Sequence, residues 1–196
     1  MASAGKEQDT GPARRSRSLK EDVGPRGAAA STEIVLRTFK PPDEDRVREL
    51  TIESFHGVSI DHNFDRISGW DRSPDWRERK WVSTRQVIAS FPDDSFVAEL
   101  EGRVVGYIAC ALSEASSIGR IMDMAVDPGM RRKGVGTLLI ERALVNFEKK
   151  GMALAKIETL TQNQAGASLY PKLGFREVAR QIHYMMELPR KPRGSG

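Results

Sequence analysis

The sequence predicts a mixed α/β fold, and three observations carry that prediction. Between its two ends the chain alternates strand-like and helix-like runs. Two apolar runs, "SFVAEL" and "VVGYIACALSE", flank the turn "EGR", a hairpin signature around Gly102. A third run, "RIMDMAV", is punctuated by "DPG" and leads through "MRRKGVG" into an apolar helix.

Taken in order, "EIVLRTF" reads as a strand from Glu33 to Phe39. "PPDEDRVRELTIESF" opens on proline and acids, as helices do, and runs to about Phe55. "HGVSIDHNFDRISGWDRS" reads as a loop, and "PDWRERKWVSTRQVIAS" as a second helix from Asp75 to Ser90. After the hairpin comes the strand ending at Val126, then a helix from Gly134 to Lys150 that stops at Gly151, the place of a C-terminal cap. "AKIETLT" is a strand, "NQAGASLYPKLG" a short helix closed by Gly174, and "FREVARQIHYMMEL" a last strand-like stretch. No internal repeat is present.

The length of 196 residues suits one well-buried domain with tails. Residues 1–31 hold almost no large apolar side chain and read as a disordered arm. The domain then covers 32–188, and "PRKPRGSG", 189–196, is a flexible tail. Charged residues make up 30%, mean hydropathy is −0.47, and no apolar run reaches membrane-spanning length, so no membrane partner is expected. Lys plus Arg exceed Asp plus Glu by 31 to 27, a net charge of +4 that is too mild to argue for nucleic acid. A nucleic-acid role would rest on the "ARRSRS" of the arm alone. The single cysteine, Cys110 in "GYIACAL", excludes an internal disulfide and reads as a packing residue. The first residues lack a secretory apolar stretch, and Glu7, Asp9, Glu21 and Asp22 argue against an acid-poor transit peptide; a cytoplasmic location is expected.

The stretch "GMRRKGVGTLLIERAL" sets Arg131, Arg132 and Lys133, then Gly134 and Gly136, where a helix begins. A helix start carries unpaired N–H groups and partial positive charge, and glycine lets an anion approach the backbone, so the stretch reads as a phosphate site. It is not a Walker loop: Gly129 and Gly134 have that spacing, but "GK" is reversed and Val135 follows. It is not a dinucleotide fingerprint either, because Leu139 stands where the third glycine belongs.

With its surroundings, the stretch resembles the GNAT family of N-acetyltransferases. "MAVDPGMRRKGVGTLLIERAL" is similar to that family's strand–loop–helix, with R/Q-x-x-G-x-G/A after the strand. "NQAGASLYPKLGF" is similar to its second signature, and "KIETL" separates the two as in the family. The resemblance covers about Glu33 to Leu188, is strongest from Ile121 to Phe175, and in the cofactor half is similar to the bacterial ribosomal-protein alanine N-acetyltransferases. It implies a mostly antiparallel, splayed sheet of about six or seven strands flanked by about four helices. The implied cosubstrate is acetyl-CoA, without a metal. Its pyrophosphate would lie on Arg131, Arg132, Lys133, Gly134, Val135, Gly136 and Thr137, and its pantetheine arm along Met124, Ala125 and Val126 and against Asn163. Asn163 is also suited to cap the helix that follows it.

The implied reaction is direct acetyl transfer to a primary amine of a small molecule or a protein. A homodimer and a non-enzymatic acyl-CoA sensor on the same fold are the other expectations carried forward. An amine of pKa ~10.4 is less than ~0.1% neutral at pH 7, so a base has leverage. Glu158 matches the family's catalytic glutamate by spacing, with an ordinary exposed strand residue as its alternative; Asp123 is the second candidate, more suited to an exposed or capping role. Tyr170, in "LYPKLGF", falls where the family places a phenol beside the thioester sulfur. Because a thiol pKa of ~8.5 lies below tyrosine's ~10, its role is better stated as a hydrogen bond to developing negative charge. His56, Asp61, His62 and Asp65 lack metal-ligand spacing. Trp70, Trp76 and Trp81 line the acceptor pocket or pack on the sheet, and Trp81 fits packing best. The short space inside "FREVARQIHYMMEL" leaves almost no loop between two last strands, which implies an open acceptor side.

Overall fold

The computed structural model describes residues 33–71 and 73–188, so the arm and tail expected from the sequence lie outside the described residues. Five strands form one sheet in the order β1 (Val35–Thr38), β2 (Phe96–Leu100), β3 (Arg103–Ser113), β4 (Ile118–Val126), β5 (Leu154–Ile157). The first four are antiparallel neighbours, and β5 runs parallel to β4. The helices are α1 (Glu44–Phe55), α2 (Ile60–Ser68), α3 (Trp76–Ser90), α4 (Val135–Lys149) and α5 (Gln164–Leu169).

Strand alternation divides the core between the two faces of the sheet. Phe96, Ala98, Ile108 and Cys110 pack with Val135, Leu139, Ile140, Ala143 and Phe147 of α4. Val97, Tyr107 and Ala109 pack on the opposite face with Val47 and Leu50 of α1 and Trp81 and Ile88 of α3. Two register shifts change this alternation. The pairing of β2 with β3 skips Val105, and that of β3 with β4 skips Met122. Past the second bulge Asp123 and Ala125 face the α1–α3 layer, although Ile121 lies in the α4 layer. Cys110 is fully buried, and burial pushes its thiol up, consistent with a packing role.

Two expectations need correction. The segment read as a loop after Phe55 contains α2, capped by Ser59, whose side chain accepts from the His62 N–H, and closed by Gly69 at φ 70°. Asp, His, Asn and Ser are weak helix formers, so local propensity gave no signal for it. The helix is fixed from outside, by Arg79 of α3 pairing with Asp61 and Asp65. The second correction concerns the last stretch. Phe175 packs against the α4-side core, but residues 176–188 form no strand, and Val178, Ile182 and Tyr184 are exposed. Among the described residues the sheet therefore has five strands rather than six or seven, with five helices around it. Alternating apolar residues prepare a strand, but a strand also needs an edge to pair with, which the local pattern does not supply.

One close contact sets the distance between α4 and β4. A Cβ built on Gly119 would lie 2.4 to 2.6 Å from three atoms of the Phe147 ring. Gly119→Ala should cost about 1–3 kcal/mol through overpacking, and Phe147→Leu in the same chain should recover part of that loss. Thermal denaturation followed by circular dichroism measures both effects.

Candidate active site

The site begins where the sheet opens. β3 accompanies β4 along its whole length, to the pair Gly106–Val126, whereas β5 pairs only from Ile118–Leu154 to Ile121–Ile157. From Met122 to Val126, β4 has no strand on its β5 side among the described residues. Met124, Ala125 and Val126 thus lie on an edge with no neighbouring strand, the splay that the family resemblance implies, and the Val126 carbonyl accepts from Arg131 Nε at 3.4 Å.

Beyond this edge the chain turns through Pro128–Met130 and reaches α4. Arg132 at φ 62° and Gly134 at φ 88° both hold the left-handed conformation, and Gly134 is the N-cap of α4. That cap supplies no side-chain hydrogen bond, and Leu138 is the first of the helix to donate back, to the Gly134 carbonyl. The N–H groups of Val135, Gly136 and Thr137 lie in the first turn, where no intrahelical partner exists. Arg131, Arg132 and Lys133 are exposed beside them. The two glycines act differently from one another. Around Gly134 a Cβ would meet nothing within 4 Å, so its requirement is the positive φ. At Gly136 a Cβ would make ordinary contacts with Leu169, Met124 and Val126, so nothing in the chain's own packing requires glycine there.

Next to the open edge, a cluster centred on Thr159 fixes the second group of predicted residues. Asn163 caps α5 by accepting from Gly166 N–H at 3.2 Å, and its Nδ2 donates to Thr159 Oγ1 at 3.0 Å. The Tyr170 hydroxyl faces Thr159. The Tyr170 ring lies over Gly166, where a Cβ would come within 2.8 Å of it, and packs edge-on against Phe175. Burial pushes the Tyr170 phenol above the ordinary tyrosine range, with Thr159 working against it, so the group is a proton donor throughout neutral pH. Glu158 precedes Thr159 but points to solvent, paired with Lys156 at 2.9 Å.

On the other face of the sheet, Asp123 is only 4% exposed, so the exposed or capping role expected for it is wrong. It pairs with Lys80 of α3 and accepts from Thr84 at 2.8 Å, while Lys80 also lies 4.1 Å from the centre of the Phe55 ring. Tyr107, fully buried, hydrogen-bonds Thr51 at 2.7 Å. Asp123 is therefore a committed carboxylate, unavailable as a free base. The α1–α2 connection stands beside this layer. His56 and His62 pack edge to face at 4.6 Å, both against Trp76. Desolvation first, and His56 second, push the His62 imidazole down, which keeps it neutral at pH 7. Trp81 is a core residue, as expected, and Trp76 is buried against the two imidazoles. Among the described residues no three His, Cys, Asp or Glu side chains gather as a metal site.

The structure thus brings together the α4 terminus, the β4 edge and the Thr159–Asn163–Tyr170 cluster, and leaves Glu158 at their margin. The sequence pattern did not single out Thr159, Gln162 or the Lys80–Asp123 pair. For Thr159 the spacing to Asn163 was a usable signal; for Lys80 and Asp123, 43 residues apart, none existed.

A splayed sheet with an open helix terminus beside it defines a class. Residues 92–177 match the acetyltransferase (GNAT) domain family. Over 147 residues it is 29% identical to an uncharacterized N-acetyltransferase of Methanocaldococcus jannaschii, covering 72% of this chain and 60% of that protein. Over 64 residues it is 36% identical to the ribosomal protein bS18-alanine N-acetyltransferase of Escherichia coli, covering 33% of this chain and 43% of the enzyme. The PaiA N-acetyltransferase of Thermoplasma acidophilum, solved in complex with coenzyme A, shares the fold at a TM-score of 0.57 and 21% identity, over 74% of this chain and 90% of that one. The chain spans 60% or less of the length of these two curated relatives.

The buried pair makes a stability prediction. Lys80→Met leaves the Asp123 carboxylate without its countercharge and should cost about 3–5 kcal/mol, more than the double replacement Lys80→Met with Asp123→Leu. Urea denaturation of the two variants gives the comparison.

Proposed function

We propose that the chain is an acetyl-CoA-dependent N-acetyltransferase that acetylates a primary amine directly. The observation that carries this reading is the uncapped start of α4 set beside the unpaired edge of β4. Such a terminus favours a pyrophosphate, which can take the N–H groups of Val135, Gly136 and Thr137, with Arg131, Arg132 and Lys133 adding charge. The side of β4 that β5 leaves open from Met124 to Val126 suits the amides of a pantetheine arm, which would extend the sheet as a further half-strand does and displace the Arg131 Nε that donates to the Val126 carbonyl at 3.4 Å. The residues fit the cosubstrate on one further count: Gly136 is small without a packing reason.

Acetyl-CoA supplies a thioester whose acyl carbon the neutral amine attacks. Tyr170 is assigned to the departing sulfur. Its phenol keeps its proton at neutral pH and donates a hydrogen bond as negative charge develops. Thr159 stands beside that hydroxyl, and Asn163 holds Thr159. Glu158 is assigned the proton of the acceptor ammonium, directly or through water. Its solvent-facing position suits exchange with bulk. The relatives' names span a ribosomal-protein alanine and uncharacterized acceptors, so a small-molecule or protein amine fits here equally. Incubation of acetyl-CoA with a panel of amines and peptides, reading released thiol, tests the activity.

Two variants separate binding from chemistry. Gly136→Val fills the space above the first turn and should weaken CoA binding at least about tenfold by calorimetry with little change in melting temperature. Gly134→Val is the less clean choice, because a β-branched residue is strained at φ 88°. Tyr170→Phe keeps the ring packing, so kcat should fall about a hundredfold while CoA affinity holds. Normal turnover under conditions where chemistry limits the rate would remove Tyr170 from the mechanism.

A further inference from the structure

Gln162 stands in the loop between β5 and α5, one residue before the capping Asn163. Its side-chain amide spans to the α1–α2 segment. Nε2 donates to the Gly57 carbonyl at 2.7 Å and to Asn63 Oδ1 at 2.8 Å, and Asn63 Nδ2 donates back to Gln162 Oε1 at 3.3 Å. These bonds join segments 105 and 99 residues apart. Gly57 follows His56 and Asn63 follows His62, so the latch grips the chain one residue after each of the two packed imidazoles.

On its other flank, α2 is bound to α3 by Arg79, which pairs with Asp61 at 3.1 Å and with Asp65, and by the Trp76 N–H donating to Asp65 at 2.7 Å. Both carboxylates of α2 are thereby committed. Nine residues of low helical propensity do not stand alone in water. The ties to α3 fix the helix to the α1–α3 layer, and Gln162 fixes it to the loop that also carries Thr159 and Asn163.

We propose that Gln162 is the positioning residue for the acceptor, latching the α2 wall over the Thr159–Asn163–Tyr170 cluster. The inference rests on the acetyltransferase reading, in which that cluster holds the reacting sulfur. Gln162 touches no reacting atom; it sets where the wall stands, and the wall sets how the amine approaches. Its bonds face solvent, so their loss costs the fold little. The effect belongs to acceptor binding rather than to the cosubstrate, whose proposed contacts lie on α4 and β4.

The test compares wild type with Gln162→Ala, Gln162→Glu, Asn63→Ala and the Gln162→Ala, Asn63→Ala double variant. Steady-state rates are measured with acetyl-CoA and whichever of an alanine-initiated peptide, spermidine or kanamycin the wild type turns over. Hydrogen exchange is followed on the same proteins saturated with CoA. Both Gln162 variants should raise the acceptor KM about tenfold, because glutamate keeps the shape but loses both donors. The kcat and the acetyl-CoA KM should stay within about twofold. Amides of residues 60–68 should exchange about tenfold faster, and the double variant should be no worse than Gln162→Ala alone. An unchanged acceptor KM, or equal rises in both KM values, overturns the proposal. If the wild type turns over none of the three amines, the acetyltransferase reading fails for them, and the exchange of residues 60–68 decides the latch by itself: faster exchange upholds it and unchanged exchange overturns it.

Discussion

Everything in the site follows from the divergence of two strands. β4 is long and β5 short, and their pairing ends at Ile121–Ile157 while β4 continues to Val126. Backbone N–H and C=O groups are obligatory hydrogen-bonding groups, so a strand left open on one side is a template for whatever can pair with it. A long β3 stabilises β4 from the other side, which lets the edge stay extended. The bulge at Met122 falls where the divergence begins and turns Asp123 into the α1–α3 layer. The open edge and the buried carboxylate are therefore two results of one distortion.

That carboxylate needed partners once it was turned inward. A buried charge without compensation costs several kcal/mol, and here α3 supplies both a cation, Lys80, and a hydroxyl, Thr84, from the same helical face. Trp76, Lys80, Thr84 and Ile88 follow at four-residue spacing along that face, so one helix carries the imidazole contact, the ion pair, the hydroxyl and the core. Tyr107 and Thr51 extend the hydrogen bonding into α1. Such a network specifies one packing of α1 and α3 on the sheet, because a partly satisfied version would be worse than an apolar core.

The parts of the fold legible in the sequence are those whose signals are local. The strand "RIMDMAV", the glycines before α4, the Gly151 stop and the helix capped by Asn163 each depend on neighbours in the chain, and the observed elements match them closely. The errors share the opposite property. α2 is held by Arg79 from another helix, and the segment 176–188 needed a pairing partner to become a strand. Asp123 was misplaced for the same reason, since its burial depends on a bulge and on a lysine 43 residues away. Of the candidate site, the phosphate loop and the Asn163–Tyr170 signature were readable. Thr159 beside Asn163 is marked only by its four-residue spacing, because a threonine in a strand-like run otherwise reads as ordinary β-propensity.

The site is assembled from two halves of the chain that meet at few points. The residues proposed for the cosubstrate lie between Met124 and Tyr170 and rest on the core under α4. The wall of imidazoles and Trp76 lies between His56 and Lys80 and rests on the opposite face of the sheet. A sheet transmits position well within its plane but leaves elements above its two faces to be aligned by their own contacts. Arg79 aligns α2 with the α1–α3 layer, and Gln162 aligns it with the loop entering α5. The first link is ionic and partly buried, the second uncharged and at the surface. The second is consequently the weaker of the two, and it is there that the α2 segment can move relative to Tyr170 without loosening the core on either face.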